Sequence, residues 1–409
     1  MNTHTICKSD CTACNACVNI CPKQCIEFEN GKAGYSFAVV NEEKCIKCHL
    51  CEMVCPNLKA VKKAAPLRCF AAWALDTSIR ANSASGGIAT ILYQYYSDQG
   101  YWCAGVRMKK NFEASYELLN PQEDKKCFSN SKYVYSNTDD IYSEIVKKLK
   151  NNQGVLFIGL PCQVAGLKNY LNVVKCSSDK LLTIDIICHG VTSGKLLQQH
   201  ISYLMKKKGF HADQVLFRDP KYKTSSYTFS LKENDRVKYA KNVCRDDAYQ
   251  IGYHCGITYR ENCYHCKYAT PERVGDLTLS DFAYVGCVAP CSYSNENVSC
   301  VMVNTQCGQR IIDTIKNEKM AFFEERPLEE VMEKEHQLKA PTEVPKERYT
   351  FIYWYEKTHD FNHAMRKAAR KIMLKNDIVY YLHIQQTKRL MVRMLPQKLI
   401  RTLKEVAKA

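Results

Sequence analysis

The sequence has no run of 18 consecutive apolar residues, so no segment reads as a membrane-spanning helix. Its opening stretch, Met1 to Asp10, is polar and lacks the apolar core of a secretory signal. No internal repeat shows beyond one short cysteine run, which sets an array architecture aside. Acidic residues are in deficit, 42 against 58 basic ones, for a formal charge of +16. No nucleic-acid-binding motif accompanies that surplus, so a nucleic-acid partner is not expected.

Cysteine, by contrast, is abundant, with 24 in 409 residues. A disulfide-stapled secreted protein is a poor explanation. The chain is far too long to need staples, and 46% apolar residues supply material for a core. Ten cysteines fall within the first fifty-five residues, and eight of them form one pattern written twice. Cys11-x2-Cys14-x2-Cys17-x3-Cys21-Pro22 is followed by Cys45-x2-Cys48-x2-Cys51-x3-Cys55-Pro56. This is the spacing of a bacterial-type ferredoxin with two [4Fe–4S] cubanes, in which the fourth cysteine of each run serves the other run's cluster. Three thiolates on a tight turn cap three irons, and the following helix carries the fourth thiolate away. One cage is therefore expected from Cys11, Cys14, Cys17 and Cys55, the other from Cys45, Cys48, Cys51 and Cys21. Zinc would favour paired C-x2-C knuckles instead. Each four-thiolate cubane carries roughly −2 when oxidised, which lowers the true positive surplus. Reduced thiolates point to a cytoplasmic location.

After a short linker at Lys59–Pro66, strand and helix signals alternate. Apolar runs at Cys69–Leu75, Tyr101–Met108, Val155–Ile158 and Leu181–Cys188 read as strands. Helical spacing appears at Gly87–Tyr96, Ile141–Lys150, Pro161–Leu171 and Gly194–Lys208. Such alternation argues for a partly parallel sheet. Val215–Phe217, Tyr227–Leu231 and Val237–Tyr239 look like an antiparallel excursion, and Ile26–Val40 like a hairpin.

Five segments in order carry a resemblance: Ser83-Ala-Ser85-Gly86-Gly87-Ile88-Ala89-Thr90; Ser131-Lys132-Tyr133-Val134-Tyr135-Ser136; Gly159-Leu160-Pro161-Cys162-Gln163 continuing to Lys168; Ile187-Cys188-His189-Gly190; and Cys263-Tyr264-His265-Cys266 with Gly275 to Phe282. Over residues 1 to 310 the chain resembles the coenzyme F(420) hydrogenase/dehydrogenase β-subunit family. The family often has Gly before the second aspartate and Trp after the phenylalanine, where this chain has Ser280 and Ala283.

The resemblance implies an α+β / α/β architecture in three parts. These are an N-terminal 2[4Fe–4S] ferredoxin domain at 1–60, a mixed α/β FAD-binding domain at 67–325, and a helical basic C-terminal extension at 326–409. It makes Ser83, Ser85, Gly86 and Gly87 a flavin-binding loop. By residue chemistry alone, glycines and a helix start suit a phosphate, or else simply a serine-capped helix. Lys132 and Tyr133 can pair with and stack on the flavin; the plain alternative is a solvated lysine on a strand edge. Cys162 follows one predicted strand and Cys188 ends another, strand ends on one edge of a parallel sheet lie close in space, and Cys263-x2-Cys266 is a chelating pair. Together they can supply a third [4Fe–4S] cluster, as the resemblance also suggests, or be four separate buried thiols. Cys244 and Cys255 are rivals for a place. Cys7, Cys25, Cys287, Cys291, Cys300 and Cys307 read as surplus. His189 is the candidate proton donor beside the flavin, or a hydrogen-bond partner of cluster sulfur. Asp276 and Asp281 are turn residues or ribityl contacts.

The expected function is that of an iron–sulfur flavoprotein oxidoreductase exchanging a hydride with a soluble carrier or small-molecule substrate. Two alternatives stay open: a non-catalytic electron-relay subunit of a larger complex, and a reductase of a cell-surface polysaccharide precursor. The basic tail, with Arg366, Lys367, Arg370, Lys371 and Lys375 and seven more basic residues over 388–408, suits three roles. It can be a packed helix with a solvated face, a dock for an acidic redox protein, or a peripheral contact with a membrane.

Overall fold

The computed structural model describes residues 3–7, 10–291 and 297–382. The two cysteine runs fold alike. Each wraps its turn through two left-handed residues, Ala13 and Asn15 in the first and Lys47 and His49 in the second. Positive φ is uncommon outside glycine, and its recurrence at matching positions marks one loop geometry used twice. Each loop aims a backbone N–H at its first sulfur, Ala13 N to Cys11 Sγ at 3.3 Å and Lys47 N to Cys45 Sγ at 3.4 Å. Short helices follow, Ala16–Ile20 and Leu50–Val54. Between the runs, strands Ile26–Asn30 and Ser36–Asn41 pair antiparallel as the expected hairpin, and Thr3–Thr5 adds a third strand.

Among the described residues the largest sheet has nine strands. Its centre is parallel: Leu277–Asp281, Leu181–Ile186, Val155–Gly159 and Trp102–Met108 run side by side in one direction. Near-continuous apolar sequence at Val155–Gly159 and Leu181–Ile186 matches strands covered on both faces. Antiparallel strands flank this centre. Ser299–Val303, Arg68–Ala74 and Ala321–Arg326 extend one side, and Ala114–Leu119 the other. The expected excursion is a small antiparallel sheet of Gln214–Leu216, Phe229–Glu233 and Arg236–Lys241. No helix among the described residues is long and apolar enough to cross a membrane.

The described residues from 328 to 382 are mainly helical, and they are not an appendage. Helices Lys346–Thr358 and Phe361–Tyr381 bury Phe351, Tyr355, Phe361, Ala364 and Met365 in a core shared with Leu196, Phe229 and Tyr249. That core also takes Ala33 and Tyr35 from the ferredoxin hairpin. Arg366, Lys367, Arg370, Lys371 and Lys375 lie on the outer helix, away from this core. The basic segment 388–408 lies outside the described residues.

Candidate functional site

The ferredoxin module gathers its sulfurs across the two runs. Cys55 stands among Cys11, Cys14 and Cys17. Cys21, Cys45, Cys48 and Cys51 line one concavity together with Cys25. A hydrogen bond from Cys7 brings the Cys11 thiol down to about 6, against burial and with help from Arg260. The same thiol brings Cys55 down to about 7. Burial pushes Cys14 up to about 12. Cys7 and Cys25, surplus by spacing, thus sit at the cages themselves.

A second set of thiols assembles where the parallel strands end. Cys162 lies in the first turn of helix Pro161–Val173, directly after strand Val155–Gly159. Cys188 follows the adjacent strand Leu181–Ile186. Cys263 and Cys266 come from the turn at Glu261–His265 and its end. The charges that act most on Cys162 would be those of Cys188, Cys266, Cys14 and Cys263. Cys255, exposed at the end of helix Ala248–His254, is not in that group. Burial pushes Cys263 up to about 12 and holds Cys162 and Cys188 well above the usual thiol range. A metal centre supplies the positive charge that such buried thiolates lack. Four sulfurs on three converging segments, Cys263 buried and the other three cysteines partly so, therefore fit a four-thiolate cluster. Among the described residues, no three His, Cys, Asp or Glu side chains converge closely enough for a single metal ion. A four-iron cube holds its thiolates farther apart than one ion does.

Buried arginines fix these loops. Arg273 bonds Asp185 at 2.9 Å and holds the Tyr268 carbonyl just past Cys266, also at 2.9 Å. Arg348 reaches the carbonyls of Ile257 and Tyr259 and the Tyr264 hydroxyl, bracing the segment before Cys263. Arg260 donates to the Cys11 carbonyl at 2.9 Å and so joins this segment to the ferredoxin module. Sequence reading missed all three. One signal was available: Asp185 is a lone carboxylate in the apolar run Leu181 to Ile186, and a buried charge demands a partner.

The two thiol sets meet at helix Pro161–Val173. A β-carbon built on Gly166 would stand 3.0 Å from Cys14 Sγ. Thr138 Oγ1 donates to the Cys14 carbonyl at 3.0 Å, and the Tyr135 hydroxyl to that of Ala13 at 2.6 Å. Both bonds clamp the first run against the large domain.

The same sheet edge holds the residues expected at a flavin. Gly87 adopts φ 89 and opens helix Ile88–Asp98. The need for glycine at 86 comes from the sheet, since a β-carbon there would meet the Ala72 carbonyl oxygen at 2.3 Å. Ser85 Oγ bonds the Val298 carbonyl at 2.8 Å, and Ser83 Oγ lies 3.4 Å from Thr90 Oγ1. Lys132 is partly buried and turns back on its own loop. Its ammonium donates to the carbonyls of Cys127, Phe128, Ser129 and Asn130. Burial pulls its pKa down to about 7.

Tyr133 stacks on Tyr253 at 4.8 Å and meets His254 edge-on at 5.5 Å. Beside it Arg218, buried, pairs with Asp281 at 2.6 Å, and the Tyr227 hydroxyl donates to the same carboxylate. His189 is half-exposed, with Nε2 3.0 Å from Glu335 Oε1. Burial opposes its charge, but Glu335 and then Asp281 outweigh that and raise its pKa. Asp276, in contrast, is structural: it takes bonds from Thr183 and from Thr305 at a helix start.

Comparison with known proteins bears out the resemblance over residues 10–58 and 152–330. Residues 152–330 match the family model for the C terminus of the coenzyme F(420) hydrogenase/dehydrogenase beta subunit. Residues 10–58 match the 4Fe–4S dicluster domain. Among solved structures, a chain of the F(420)-reducing [NiFe] hydrogenase complex from Methanosarcina barkeri, from a xenon-derivatization study, is 17% identical. That alignment covers 78% of this chain and 92% of the other, with a TM-score of 0.42. A search of curated proteins gives no match.

Proposed function

We propose that this chain is an iron–sulfur flavoprotein oxidoreductase. It would pass electrons between three [4Fe–4S] clusters and FAD, with hydride exchange to a soluble carrier such as coenzyme F(420) or another reducible substrate. The ligand sets are Cys11, Cys14, Cys17 and Cys55; Cys45, Cys48, Cys51 and Cys21; and Cys162, Cys188, Cys263 and Cys266. One observation supports the reading above the rest: Cys14 of the ferredoxin module abuts the helix that carries Cys162, so the outer and inner thiols lie side by side. Cubanes bound there supply one-electron chemistry, and a flavin supplies one- or two-electron chemistry.

The remaining work belongs to the protein. Gly166 permits the close approach of Cys14. Arg273, Arg348 and Arg260 hold the inner loop and the module in register. Tyr133 stacks with Tyr227 and Tyr253, and the cationic Arg218 lies over the Tyr227 ring. His189, oriented by Glu335, is the group placed to give or take a proton at the half-open edge.

The relay reading has its own support. Lys132 spends its donors on its own loop, and the space beside Gly86 is taken by strand backbone, so two residues expected to face FAD are otherwise engaged. Anaerobic purification with a flavin count separates the two. About one flavin per chain, reduced by NADH, NADPH or the reduced deazaflavin, supports the oxidoreductase. Clusters with no flavin and no turnover favour the relay.

A further inference from the structure

Cys7 and Cys25 are surplus to the ligand count, yet both lie against ligand sulfurs. Cys25 Sγ is 3.4 Å from Cys21 Sγ, its N–H points at that sulfur at 3.5 Å, and its thiol also reaches Cys45. Cys7 reaches Cys11 and Cys55. The two sets of contacts match. Each spare thiol touches the first cysteine of one run and the last cysteine of the other, which is one such pair per cage. Nothing in the sequence shows this equivalence. Cys7 precedes the first run and Cys25 follows it, while Asn41 and Lys59 hold the corresponding places around the second. The fold alone makes them counterparts.

Each spare cysteine is a free thiol set against two ligand sulfurs. It then has an S–H to donate. We propose that Cys7 and Cys25 are hydrogen-bond donors to the ligand sulfurs of the two ferredoxin cages, one to each, and that they raise the reduction potential of each cluster. A reduced cluster carries one more negative charge than an oxidised one, so a donor to its sulfur favours the reduced form. The inference rests on the ligand assignment proposed above.

The test is an anaerobic redox titration of the intact holoprotein, followed by electron paramagnetic resonance, on Cys25→Ala, Cys25→Ser and Cys7→Ala. Cys25→Ala should keep the native iron content and move one ferredoxin cluster to a more negative potential. Cys25→Ser, which retains an O–H donor, should return that potential toward the native value. Cys7→Ala should move the other ferredoxin cluster. Unchanged potentials in both alanine variants would overturn the proposal. So would equal shifts in Cys25→Ala and Cys25→Ser, which would mean packing rather than donation. Loss of about four irons in Cys25→Ala would make Cys25 a ligand instead. Native protein without ferredoxin clusters would fail the ligand assignment itself, a result told apart by its iron content before any substitution.

Discussion

Asp185 and Arg273 face each other 2.9 Å apart with both side chains closed to solvent, at the end of the strand that leads to Cys188. The carboxylate also takes N–H bonds from Val274 and Gly275 and the hydroxyl of Thr278. Removing one partner leaves a buried charge uncompensated. Arg273→Met should therefore destabilise the chain by about 3–5 kcal/mol. It should also free the Tyr268 carbonyl and reduce retention of inner-site iron. Chemical denaturation and iron analysis of the same sample check both effects.

Gly166→Ala is expected to behave unlike an ordinary helix substitution. Alanine normally favours a helix over glycine by up to about 1 kcal/mol. Here the new methyl would press on Cys14 Sγ from 3.0 Å. The variant should fold but show an altered resonance spectrum for the cluster holding Cys14. Gly194→Ala is the control: no atom lies within 4 Å of its added β-carbon, and native spectra and stability are expected.

Acid sensitivity should trace partly to Asp247. Burial raises its pKa, but His200, the Gln250 N–H and Tyr239 outweigh that and bring it from 3.8 down to about 2. The unfolded chain then binds a proton that the folded chain refuses. Stability from this group is complete above about pH 4 and disappears as pH falls toward 2, a contribution of about 2 kcal/mol. Asp247→Asn should flatten the fall in unfolding midpoint over that window. Cluster loss in acid is common to both proteins and cancels in the comparison.

The helices after residue 345 should be indispensable. Phe351 is fully buried, and Phe351→Ala should cost about 3–5 kcal/mol. Arg348→Met, which removes the brace on the segment before Cys263, should lower inner-site iron more than ferredoxin iron. Thermal unfolding together with iron and sulfide analysis measures both.

Much of the architecture was legible because it is local. The cysteine runs announce themselves by spacing, and strands Val155–Gly159 and Leu181–Ile186 by unbroken apolar sequence. The meeting of Cys162 with Cys188 followed from one rule about the ends of parallel strands. What escaped notice depends on distant partners. Strand Ala321–Arg326 is polar along much of its length and exists by pairing with Arg68–Ala74. Arg218 and His254 carry no motif; only folding brings them to Asp281 and Tyr133. Lys132 looked like a ligand-facing lysine because sequence cannot show that four carbonyls of its own turn point back at it. Residues 361–369 divide as a packed helix with a solvated face would, with Arg366 and Lys367 outside and Phe361, Ala364 and Met365 in the core.

The most direct measurement is iron and acid-labile sulfide per chain in protein purified without oxygen, native and Cys162→Ser side by side. Sites for three cubanes require about 12 irons in the native chain and about 8 in the variant, with both ferredoxin signals kept. About 8 irons in each would contradict the inner centre, and with it the link from the N-terminal thiols to the edge that holds His189 and Tyr133.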